Sequence, residues 1–307
     1  MPVKGICIFL MLAAGSPLID GEKPVRQADV HAGEGPAWDG KGHLYFTGGG
    51  RISRRDASGK VEVFRESAGA AANGLLFDRE GRLVVCEGGA RRVVRLEKNG
   101  DVTVMAERFE GKRFNSPNDL TMDSRGRIYF SDPRYGSRAG MEMPEHVYRI
   151  DAPGKVARVT SGEVDRPNGV LVSLRDEFLY IADNNNEAGG PRKLFRFRLR
   201  ADGTVDSASR HLVHDWGTGR GPDGLKTDVD GRLYVAAGRT KARLPHETAD
   251  PVGGVYIFSP DGKLLDVIAI PDDEVTNCAF GGADRRTLFI TAGGNLWSVK
   301  LNAQGRL

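Results

Sequence analysis

The sequence predicts an all-β chain folded as a six-bladed β-propeller, with four-stranded antiparallel blades around a central channel. Three observations carry that expectation. A short strand phrase recurs six times, and no convincing amphipathic helix of ten residues lies between the copies. In addition, 41 Gly and 15 Pro among 307 residues exceed the average combined share of about 12%, so the chain turns often. Repeats of this size cannot bury their own faces; packed radially, each covers its neighbours and leaves only short edges.

In chain order, Met1 to Gly15 read as a secretory signal. Lys4 supplies a positive start, Gly5 to Leu12 an apolar run, and Ala13, Ala14 and Gly15 the small residues of a cleavage site. The run falls short of the roughly 20 apolar residues of a spanning helix. A periplasmic or secreted protein is expected, with residues 16–307 as one propeller domain. Lys23 to His31 precede the first full repeat and are expected to close the ring as the outer strand of the last blade.

The repeated phrase is a polar turn followed by a short apolar run. It reads Gly40-Lys-Gly-His-Leu44-Tyr-Phe46, Arg79-Glu-Gly-Arg-Leu83-Val-Val85 and Ser124-Arg-Gly-Arg-Ile128-Tyr-Phe130. The later copies are Arg175-Asp-Glu-Phe-Leu179-Tyr-Ile181, Val229-Asp-Gly-Arg-Leu233-Tyr-Val235 and Asp284-Arg-Arg-Thr-Leu288-Phe-Ile290. The anchors Leu44, Leu83, Ile128, Leu179, Leu233 and Leu288 are spaced by 39, 45, 51, 54 and 55 residues. Further strand runs follow, including 92–96, 146–150, 194–199, 254–258 and 295–301. Turn signals such as Asn99-Gly100 and Asp261-Gly262 lead into outer strands at 102–106 and 264–270.

Composition limits the partners. Lys and Arg outnumber Asp and Glu by 44 to 41, a net charge of +3, which supplies no electrostatic case for nucleic acid or an anionic membrane. No obligate protein partner is evident. Of three cysteines Cys7 lies in the leader, so Cys86 and Cys278 read as buried free thiols rather than a disulfide framework or zinc site.

Ten or eleven residues before each anchor stands an oxygen-bearing side chain: Glu34, Asn73, Asn118, Asn168, Asp223 and Asn277. In a propeller the first strand of each blade lines the channel, so these six positions form a ring about the axis. Asn and Asp favour turns in general, but a turn preference does not explain Glu34. Two acids facing each other repel unless a cation lies between them. Oxygen donors without His or Cys select calcium, magnesium or manganese over softer metals. A water-filled channel with hydrogen-bonded amides is the other arrangement such a ring admits.

These phrases carry a likeness. Glu34-Gly-Pro-Ala-Trp38, Asn73-Gly-Leu-Leu-Phe77, Cys86-Glu-Gly88, Asn115-Ser-Pro-Asn-Asp119, Arg166-Pro-Asn-Gly169, Pro222-Asp-Gly-Leu-Lys226 and Thr276-Asn-Cys-Ala-Phe-Gly-Gly282 together resemble the gluconolactonase/regucalcin (SMP-30) family. The resemblance runs from about residue 30 to residue 300. It implies a six-bladed propeller with one catalytic divalent cation, calcium ahead of magnesium, manganese or zinc, held by Glu34, Asn168 and Asp223. Asn118 would be a fourth ligand or a substrate contact, while Asn73 and Asn277 would stand behind the ligands. The implied reaction is hydrolysis of a sugar lactone, with Asp223 as base.

Arg113 and Tyr135 are candidate substrate contacts at the channel lip, and His146 and His246 candidate proton carriers. Segments 136–145, 184–191 and 239–251 are expected to form the rim that sets specificity. Two other readings compete: a phosphotriesterase-like hydrolase using the same cation, and a propeller that binds a ligand without catalysis.

Overall fold

The computed structural model describes residues 15–306; the leader assigned to Met1–Gly15 lies, except for Gly15, outside the described residues. Six four-stranded antiparallel sheets stand around one axis. Blade 1 is Glu34–Trp38, Leu44–Gly48, Arg51–Arg55 and Val61–Glu66; blade 2 is Ala72–Phe77, Leu83–Glu87, Arg92–Leu96 and Val102–Ala106. Blade 3 comprises Leu120–Met122, Ile128–Asp132, His146–Ala152 and Lys155–Arg158, and blade 4 Pro167–Val172, Phe178–Asn184, Arg192–Leu199 and Val205–Asp215. Blade 5 is Leu225–Thr227, Leu233–Ala237, Gly254–Phe258 and Leu264–Ala269. Blade 6 takes three strands from the end of the chain, Val275–Gly281, Thr287–Ala292 and Gly294–Lys300, and its outer strand from the beginning, Val25–Ala32. The ring therefore closes as expected, with Val25 opposite Ser298 and Arg26 opposite Trp297.

The repeated phrase has a packing reason. Its residues form the second strand of each blade, which is covered on both faces and so reads as a continuous apolar run. The six anchors all face the preceding blade: Leu83 packs with Tyr45 of blade 1, and Leu233 with Leu171 of blade 4. The residue after each anchor faces the next blade, as Tyr129 does toward Val170 and Tyr234 toward Phe280. Six apolar clusters result, one at each blade-to-blade junction. Cys86 and Cys278 are buried free thiols in two of these clusters, and burial pushes the Cys278 thiol up to about 12.

In blades 1, 2, 3 and 5 the turns before the anchors are built by one device, which Asp39 provides in blade 1. Asp78 Oδ1 accepts from the N–H of Glu80 (3.0 Å) and Arg82 (2.9 Å), and Asp123 and Asp228 repeat the pattern in blades 3 and 5. Gly81, Gly126 and Gly231 occupy the left-handed position this turn requires (φ 71°, 82° and 83°). These turns lie at the end of the channel opposite the ring residues.

Candidate active site

Each ring residue sits where its innermost strand is irregular. In blades 1, 2, 4 and 6 the register slips by one residue at or beside Glu34, Asn73, Asn168 and Asn277. In blade 3 the N–H of Asn118 and the carbonyl of Asp119 share Ser131, and in blade 5 Asp223 and Gly224 share Ala236 in the same way. A bulge of this kind inserts one unpaired residue and re-aims its side chain.

Adjacency around the ring follows from the residue after each position. A methyl group on Gly35 would collide with Asn73, on Gly74 with Asn118, on Gly169 with Asp223, and on Gly224 with Asn277. Asn277 closes the circle, its Nδ2 donating to Glu34 Oε2 at 3.1 Å. Five of the six neighbouring pairs are therefore held at contact distance, and only Gly permits that approach in four of the blades.

The charges of Asp223 and Asp119 lie close enough to act on Glu34. Burial raises the Glu34 carboxyl well above the usual range, and the charges of Asp223 and Asp119 push it further; hydrogen bonds from Asn277 and Gly35 oppose the shift. Burial likewise lifts Asp223 to about 6 in spite of the adjoining Arg220 guanidinium. Asp223 is 3% exposed, and its Oδ2 accepts from Arg220 Nη2. Its other oxygen, Oδ1, is buried without a partner.

The amides are arranged likewise. Asn168 Nδ2 donates to the Tyr135 hydroxyl at 2.9 Å, and that hydroxyl donates to the Asn184 carbonyl at 3.2 Å. This fixes the amide and leaves Asn168 Oδ1 buried and unpartnered. Asn73 Oδ1 is unpartnered as well. Asn277 instead spends its Oδ1 on the N–H of Cys278 (2.9 Å), so it supports Glu34 and offers no free oxygen.

A buried acceptor left without a partner costs about 1–3 kcal/mol. Three such oxygens in one ring, beside two acids and with no imidazole or thiolate, fit a hard divalent cation. Glu34, Asn168 and Asp223 could hold it, with Asn118 and Asn73 adjoining. Among the described residues no three His, Cys, Asp or Glu side chains form a metal cluster, so amide oxygens would have to complete any ligand set.

Asp119 was not among the candidates read from the sequence. It occupies the slot that Gly fills in four other blades, is buried, and presents an unpartnered Oδ2. Aligning the six phrases one residue beyond the ring position would have exposed it. Arg220, three residues before Asp223, was also missed. Arg113 lies on the rim, its Nη2 donating to the Ala90 carbonyl at 3.1 Å; its hydrogen bonds among the described residues reach no ring position. His246 Nε2 contacts the Asn186 carbonyl at 3.0 Å, and His146 packs edge-on to Tyr148, so neither touches the ring. Segments 136–145, 184–191 and 239–251 join second to third strands in blades 3, 4 and 5, on the ring's side of the molecule. A cavity of 660 Å³ opens at the far end of the channel between Trp38, Phe77, Met122 and Phe280, and no ring residue lines it.

A six-bladed propeller with an oxygen-lined site at one mouth of its channel is the class these features define. The chain belongs to the SMP-30/gluconolactonase/LRE-like family, whose model matches residues 32–294. It is 28% identical to a gluconolactonase from Zymomonas mobilis, over 94% of this chain and 84% of that one. To a 6-deoxy-6-sulfogluconolactonase from Pseudomonas putida it is 30% identical, over 87% and 85% of the respective chains. The solved structure of a gluconolactonase from Xanthomonas campestris superposes with a TM-score of 0.78 at 30% identity, covering 93% of this chain and 91% of that one. These likenesses support a gluconolactonase-like hydrolase.

Proposed function

We propose that this protein is a divalent-cation-dependent lactonase that opens a sugar lactone to its hydroxy acid. The observation that carries the reading is the buried, unpartnered Oδ1 of Asp223, in the ring that also holds Glu34 and the free Oδ1 of Asn168. Glu34, Asn168 and Asp223 would hold the ion, and calcium suits a set made only of oxygens. When bound, the cation supplies Lewis-acid polarisation of the lactone carbonyl and stabilises the oxyanion charge that develops on it.

The chain's own groups do the rest. Tyr135 engages the nitrogen of the Asn168 amide and so leaves its oxygen free for the ion. Asp223 receives the proton of the attacking water. Before an ion binds, burial raises this carboxyl to about 6, so that at neutral pH it is largely ionised and ready to take a cation. Asp119, one residue below the ring, adds negative charge that keeps both acids basic. The names of three relatives, a gluconolactonase, a 6-deoxy-6-sulfogluconolactonase and a pentonolactonase, support the substrate class.

The test is hydrolysis of glucono-1,5-lactone by the purified protein and by Asp223→Asn. The variant is expected to lose about 10²–10⁴-fold in kcat while keeping its β-sheet circular dichroism. Exhaustive chelation is expected to abolish the wild-type rate, and added calcium to restore it. Full activity of the variant, or a rate indifferent to chelation, overturns the proposal.

A further inference from the structure

Behind Asp223 lies a chain of alternating charge, buried at Arg220 and Arg239 and partly exposed at Glu274, that the reaction above does not use. Arg220 is 5% exposed and its guanidinium is engaged on every side. Nη2 donates to Asp223 Oδ2, Nη1 donates to the Val275 carbonyl at 2.8 Å, and Nε stands 3.6 Å from Glu274 Oε2. The other oxygen of Glu274 accepts from Arg239 at 2.5 Å and pairs with Arg243 at 3.1 Å. Arg239 also pairs with Glu247, whose Oε2 accepts the N–H groups of Arg243 (2.9 Å) and Leu244 (3.1 Å). The series runs unbroken from the channel carboxylate to the rim segment 239–251.

We propose that Arg220 is the positioning residue of Asp223, holding one carboxylate oxygen so that a single oxygen, Oδ1, is presented to the channel. Val275 and Glu274 hold the guanidinium in turn, which makes the fork rigid. A free carboxylate could rotate or offer both oxygens. The planar fork prevents that by binding carboxylate and carbonyl at once, a geometry the point charge of Lys cannot reproduce. Supporting groups of this kind typically change metal affinity about 10–100-fold when altered.

This inference rests on the cation reading, and calorimetric calcium titration separates the two. Wild type that takes up no calcium, magnesium or manganese sinks both. Where wild type binds calcium, Arg220→Lys is expected to bind it about 10-fold more weakly, with a melting temperature in chelator close to wild type. At saturating calcium its kcat for glucono-1,5-lactone is expected to stay lowered with KM unchanged. Arg220→Met is expected to lose at least as much affinity. Should Met leave a buried acid that prevents folding, the Lys variant decides alone. Wild-type affinity and kcat in Arg220→Lys, or tighter calcium binding in Arg220→Met, would show that Arg220 merely supplies charge or competes with the cation, and overturns the assignment.

Discussion

At the scale of single residues, the site works by dividing the atoms of each polar group between two tasks. One atom of Asp223 is tied to Arg220, one atom of Asn168 to Tyr135, and in each case the remaining oxygen is left buried without a partner. Both acids resist ionisation because they are buried and stand near the charge of Asp119, and Asp223 adds to the shift of Glu34. The sign of the resulting pH dependence follows directly. A carboxyl raised from the ordinary range near 4 to about 6 holds its proton across that window in the folded state, while the unfolded chain has lost it. Cation-free stability contributed by Asp223 is therefore full below about pH 4 and is lost as pH rises through 6. Calcium binding has the opposite slope, since the ion must displace that proton. Affinity is expected to weaken as pH falls through 6, with proton release on binding near about pH 5.5, measured by calorimetry in buffers of different ionisation enthalpy. Affinity that is flat between about pH 5 and 7 would mean the acids are already ionised without the ion.

At the scale of the element, the innermost strands trade regularity for aim. A straight strand would alternate its side chains between neighbouring blades; the inserted residue turns one of them toward the axis instead. The following Gly lets the adjacent blade approach to contact distance. Gly224 carries no positive φ, so an alanine there is penalised by collision with the Asn277 side chain and not by backbone strain. Gly224→Ala is expected to cost about 1–3 kcal/mol in urea denaturation and to weaken calcium binding, because Asn277 is pushed off Glu34. Gly100→Ala, with open space at its Cβ, serves as the control for a glycine bound only by its turn (φ 92°) and should leave calcium affinity unchanged. An unaltered affinity in Gly224→Ala would separate Asn277 from the site.

At the scale of the whole molecule, the six sheets hold together through six similar junctions, and the last is closed by both ends of the chain. Val25–Ala32 covers the open edge of Gly294–Lys300. Leu18 adds a bridge to Leu301, and the Asn302 amide donates to the Leu18 carbonyl at 2.7 Å. Removing residues through Ala32 leaves blade 6 with three strands and an unpaired edge, a template for aggregation. Such a protein is expected to lose its cooperative thermal transition and to elute as aggregate in size-exclusion chromatography. A monomer melting at the wild-type temperature would show that closure by the first strand is dispensable.

How much of this was legible beforehand depends on the range of the interaction involved. The six anchors, the count of blades, the closing strand and the six ring positions could be read from the chain, because each repeat meets the same surroundings and so carries the same local pattern. Leu44 and Leu288 look alike in sequence since both pack backward onto the preceding blade. The supporting shell could not be read. Arg220, Glu274 and Arg239 come from three different segments, and Tyr135 reaches Asn168 from the preceding blade. Asp119 was hidden in a motif because only the ring's curvature brings its charge to bear on Glu34 and Asp223. Periodic burial leaves its mark on every repeat, whereas the pairing of lone charges is settled by where the closed ring happens to bring them together, and that belongs to the tertiary structure alone.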